Sequence, residues 1–129
     1  MTTTKKIIMS ILRYLLAVFM IYAGVQHFVK PDFYRPFVPE FLIFTTFIIL
    51  SSGVVEILLG GMLLLKGKLA QYGALGVFLL MLVFLPVHIK DVLVEDPAIG
   101  TTQMALIRLP VQFLFIAWSW GVYRFLKKQ

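Results

Sequence analysis

The stretch FLIFTTFIILSSGVVEILLGGMLLL, Phe41 to Leu65, carries a single ionisable side chain, Glu56. A run this long and this apolar reads as a helix that spans a bilayer. A carboxylate within it costs about 2.5–3.5 kcal/mol on insertion scales. Glu56 must therefore have a partner, a proton or a role. Three further runs share the same character: Ile7–Phe28, Leu69–Ile89 and Met104–Leu126. With 129 residues, 60% of them hydrophobic and 14% charged, the chain has room for one domain of four spans. The expected fold is all-α: an antiparallel four-helix transmembrane bundle, residues 1–129, in the plasma (inner) membrane.

Charge sets the expected orientation. Lys5, Lys6, Lys66, Lys68, Arg124, Lys127 and Lys128 lie in the N-terminus, the second loop and the C-terminus, three pieces that share one side of the membrane. The other side mixes Lys30, Arg35 and Lys90 with Asp32, Glu40, Asp91, Glu95 and Asp96. That asymmetry puts both termini in the cytoplasm, and the net charge of +6 becomes a topology signal instead of a nucleic-acid footprint. The chain has no cysteine, which excludes disulfides, thiol exchange and thiolate-bound metals. The first apolar segment is too long for the core of a cleaved signal peptide and reads as a retained anchor.

Helical spacing sorts the polar residues into faces. Arg13, Ala17, Met20, Gly24 and His27 form one stripe on the first span; Ser52, Glu56 and Gly60 form another on the second. Gly73, Val77, Leu80, Phe84, His88 and Asp91 share a face of the third, and Arg108, Gln112, Phe115, Ser119 and Tyr123 a face of the fourth. These faces are expected to meet in the core. Counting depth at 1.5 Å per residue puts Arg13 about 9 Å and Glu56 about 13 Å from the cytoplasmic ends of their helices. An Arg13–Glu56 buried pair is the expectation, as a lock between helices or as a proton relay, ligand contact or gate. On that reading Glu56→Ala fails to fold because Arg13 is stranded, whereas His27→Ala and His88→Ala leave the fold intact.

A second cluster gathers at the outer end: His27, His88, Arg108 and Gln112 are the candidate ligand-binding residues, with Asp91 one turn beyond His88. Imidazole can accept a proton or hydrogen-bond a quinone carbonyl, and Arg108 can hold an anion. Two histidines and an aspartate from three elements match no metal-ligand spacing, so no metal is expected. Alternatively the histidines are interfacial anchors and Arg108 snorkels outward. Trp118 and Trp120 read as belt residues. The first loop, rich in Pro31, Phe33, Tyr34, Pro36, Phe37 and Pro39, suits an interfacial segment.

The run Gly24-Val25-Gln26-His27-Phe28 with Pro31, Phe33 and Pro39, together with Ser52-Gly53-Val54-Val55-Glu56, resembles motifs of the DoxX and DoxX-like membrane proteins. Phe84-Leu85-Pro86-Val87-His88 stands where that family often ends its third helix in Pro-Ala-Asn, and Arg108-Leu109-Pro110-Val111-Gln112 resembles the opening of its fourth. The resemblance implies a small four-helix protein associated with redox complexes. It points to a membrane subunit contacting a quinone or similar lipid-soluble molecule, at most one part of an oxidoreductase. Beside it stand a non-catalytic assembly or partner-binding protein, and a small proton-coupled transporter that titrates Glu56 and needs a homo-oligomer.

Overall fold

Thr2 begins the first helix by accepting a hydrogen bond from the Lys5 amide on its side chain. The helix, α1, then runs Thr3–Val29. A one-turn helix α2, Pro31–Tyr34, continues into a 3-10 turn over Arg35–Phe37. Three long helices follow: α3 Thr45–Leu63, α4 Lys68–Leu93 and α5 Thr102–Lys127, the last capped by the Thr101 hydroxyl on the Met104 amide. These are the elements of a computed structural model that describes residues 2–129. α1, α3, α4 and α5 are each long and apolar enough to cross a membrane.

The boundaries differ from the expected spans where apolarity alone misleads. The second span starts at Thr45, not Phe41. Its leader folds instead into a turn, with the Leu42 amide bonded to the Pro39 carbonyl, and leaves Phe41 and Ile43 each 81% exposed. The third span runs through Pro86 to Leu93, past the expected Ile89. Between α3 and α4, Gly67 adopts φ 69°, a left-handed conformation that lets the chain reverse in so few residues.

Packing follows the predicted stripes. Ala17, Met20, Gly24 and His27 of α1, Glu56 and Gly60 of α3, and Gln112 and Ser119 of α5 are all buried. α1 lies hard against α3, and α5 against α4, whereas α1 and α5 meet only sparsely. The α1–α3 approach is set by glycine: a Cβ built on Gly24 would lie 2.6 Å from the Gly53 carbonyl oxygen. The half of the bundle nearest the termini is filled by Leu16, Met20, Leu63, Val77 and Val122. Along the sparse α1–α5 seam, the Trp118 indole donates to the Leu12 carbonyl at 3.0 Å, and the Phe19 and Phe115 rings meet at a tilt with centroids 5.0 Å apart. Trp118 thus ties α5 to α1. Beyond Phe19 and Phe115, toward the loops, the bundle is no longer filled.

Candidate functional site

That unfilled end is a cavity of about 550 Å³ between the four long helices and beneath α2. Its walls are mostly apolar, with the rings of Phe19, Phe33, Tyr34, Phe37, Phe84 and Phe115 among them. Into this apolar lining the chain places His27, Ser52, Glu56, His88 and Arg108. The cover over it is tied down: Arg35 bonds Asp32 at 2.6 Å and reaches the Thr46 hydroxyl at the start of α3 at 2.9 Å.

His27 and Glu56 form the innermost polar unit. The imidazole Nδ1 lies 2.8 Å from the Ile49 carbonyl, which can only accept, so Nδ1 carries a hydrogen. The other ring nitrogen, Nε2, lies 2.7 Å from Glu56 Oε2. At that separation one proton stands between the two groups, and the pair is electrically neutral whichever side holds it. Oε2 has no other polar neighbour among the described residues. Tyr34 completes the unit by stacking on the imidazole, with ring centroids 3.9 Å apart. Burial, and then the negative side of Glu56, holds the Tyr34 phenol above its usual value, so it stays neutral.

The expected Arg13–Glu56 pair does not form. Arg13 Nε donates to the Leu63 carbonyl at 2.8 Å and its Nη2 donates to the Leu65 carbonyl. Helix register explains the difference. Ala17 packs at Gly60 and Gly24 at Gly53, which carries Arg13 to the end of α3 and brings His27 to Glu56. At the helix end Arg13 meets carbonyls that no helical amide can satisfy, in the place where a cation is favoured. Arg13→Ala is expected to cost about 1–2 kcal/mol, the worth of that cap. A thermal melt of purified protein checks it; a collapse of the fold would mean that Arg13 has a further buried partner.

At the other side of the cavity, Arg108 Nη2 donates to Gln112 Oε1 at 2.8 Å, and the Gln112 amide donates to the Met81 carbonyl at 2.7 Å. Gln112 is wholly buried by these contacts and is not part of the cavity wall. His88 stands edge-on to Phe37 at 5.9 Å. Its Nδ1, and Nη1 of Arg108, are buried without a hydrogen-bond partner. Asp91 is separate from this group: its carboxylate accepts from the Ala98 and Ile99 amides and shapes the second loop. No three His, Asp or Glu among the described residues gather closely enough to hold a metal.

Sequence reasoning missed Tyr34 as the stacking partner and the Ile49 and Met81 carbonyls as acceptors. A backbone acceptor leaves no mark in a side-chain pattern. Tyr34, seven residues beyond His27 and past the turn that Pro31 starts, had only its aromatic character to signal it.

The family described as "Domain of unknown function (DUF8561)" matches residues 16–123, and the chain belongs to it. This corrects the DoxX resemblance, and with it goes the redox association that the resemblance implied. No curated protein and no solved structure matches the chain.

Proposed function

We propose, for this member of a family without a defined function, a binding protein of the plasma membrane that takes a lipid-soluble small molecule into the cavity at its loop end. The single observation that carries the reading is the coincidence of an apolar space of about 550 Å³, set with aromatic rings, and two buried polar atoms without a partner in its lining residues. They are His88 Nδ1 and Arg108 Nη1, whereas Glu56 Oε2 is taken by His27. Buried polar atoms are ordinarily paired, and a site with few polar groups in apolar walls has the makeup of a small-molecule pocket. His88 and Arg108 offer the ligand polar contacts, the aromatic rings hold its body, and the neutral His27–Glu56 pair lines the floor. A quinone is one molecule of this kind. The basic residues at the end that bears the termini orient that end to the cytoplasm and the cavity to the opposite leaflet.

Native mass spectrometry, with an absorbance spectrum, of protein extracted in mild detergent tests the reading. One stoichiometric small molecule is expected, and Ala23→Phe, which fills the cavity wall, is expected to displace it. A clean mass of the bare chain in several detergents, with another membrane protein co-purifying, would replace ligand binding by a partner-binding role.

A further inference from the structure

The cavity carries one formal charge that no carboxylate among the described residues pairs with. Arg108 bonds only to the neutral amide of Gln112, and its Nη1 has no partner. The neighbouring carboxylates are committed elsewhere, Glu56 to His27 and Asp91 to two loop amides. The guanidinium stays protonated at any ordinary pH. Arg108 as a residue is partly exposed, but its Nη1 is buried. Its Nη2 is held by Gln112, one turn deeper on the same helix, at 2.8 Å. Its Cζ lies 5.8 Å from the centre of the Phe115 ring, deeper still. His88, with the second unpartnered nitrogen, lies within Coulombic reach of it.

Buried charges in folded proteins are paired, because an isolated one loses its hydration for nothing in return. Here the missing partner is an anion, and the space beside the arginine is apolar. We infer that the ligand is an amphiphile with an anionic headgroup, a carboxylate or a phosphate, which pairs with Arg108 while its hydrocarbon body lies against Phe19, Phe84 and Phe115. His88 supplies a second hydrogen bond to the headgroup through Nδ1. Arg108 lies about 9 Å along α5 from its loop-end start, a depth that an acid entering from the adjacent leaflet can reach. An uncharged head such as a quinone leaves the arginine unbalanced. This inference rests on the ligand-binding reading and narrows it to one class.

The experiment titrates delipidated protein in a neutral maltoside detergent with oleate, dioleoyl phosphatidate, oleyl alcohol and a short-chain quinone, by native mass spectrometry. Oleate or phosphatidate is expected to bind at least about tenfold more tightly than the alcohol, the scale of one charge-assisted contact. The better of the two names the source of the headgroup. Arg108→Gln should erase the preference and Arg108→Lys retain most of it. Ligand-free Arg108→Gln should melt no lower than the parent, since it loses an unbalanced charge. An alcohol or quinone bound as tightly as oleate, or a preference that survives Arg108→Gln, overturns the anionic ligand and leaves the binding function standing. A ligand-free Arg108→Gln that melts lower or does not fold makes the arginine a satisfied structural group and has the same effect. If none of the four probes binds, both readings fall.

Discussion

Gly53→Val is expected to leave almost no folded protein. A Cβ on Gly53 would lie 2.7 Å from His27 Cβ and 2.8 Å from the Gly24 carbonyl oxygen. Neither neighbour is the far end of a flexible chain; one is backbone and the other is fixed to it, so α1 and α3 must separate. Overpacking of a well-packed core ordinarily costs about 1–3 kcal/mol. Here the separation also pulls His27 from Glu56, so the loss should exceed about 3 kcal/mol, a large part of the stability of a domain this size. Gly24→Ala, whose new methyl meets the Gly53 carbonyl oxygen at 2.6 Å, should fail in the same way. Gly61→Ala and Gly121→Ala are the internal controls, because nothing lies within 4 Å of either position. They should be neutral or stabilising by up to about 1 kcal/mol, as alanine is the better helix former. Thermal melts and the yield of monodisperse protein decide the matter, and a Gly53→Val chain that melts with the controls would remove the close α1–α3 approach from the account.

The same glycines explain what could and could not be read in the sequence. Four long apolar helices and their inward stripes were legible, because apolarity and the 3.6-residue period are properties of each helix by itself. The partner of Glu56 was not, because pairing depends on the register between two helices. Depth counted from assumed helix ends matched Glu56 with Arg13. The actual register is fixed by Gly24 on Gly53 and Ala17 on Gly60, and it matches Glu56 with His27 instead. Helix ends were similarly hidden: Phe41–Phe44 is as apolar as the helix it precedes, and only the Pro39 turn takes it out. The misleading family resemblance has a physical root too. Its Gly24-x-x-His27 and Gly53-x-x-Glu56 elements each join a close-approach glycine to one member of a buried pair. Two membrane helices locked by such a contact need that spacing whatever the protein does, so short motifs of this kind report packing before ancestry.

His27→Ala is expected to be far more damaging than Glu56→Gln, the reverse of what histidines acting as interfacial anchors would give. Glu56 is 4% exposed, and among the described residues His27 is the only group that reaches its Oε2. Removing the imidazole strands a carboxyl group in an apolar interior, takes the partner from the Ile49 carbonyl and leaves Tyr34 without its stacking surface. Breaking a buried pair from one side costs about 3–5 kcal/mol. Glu56→Gln removes the charge but not the contact. The glutamine amide can donate to Nε2 of a neutral His27 whose Nδ1 hydrogen still bonds Ile49, so the expected cost is within about 1 kcal/mol. The double replacement His27→Leu with Glu56→Leu should recover much of what His27→Leu loses, because an apolar pair of similar bulk leaves nothing unpaired. Melting temperatures of the single and double variants in one detergent measure the coupling between the two positions. Equal melting of His27→Ala and the parent would mean that Glu56 keeps a proton and needs no partner. The floor of the cavity would then be a neutral acid in place of a dyad, available to donate its own hydrogen bond to whatever the cavity holds.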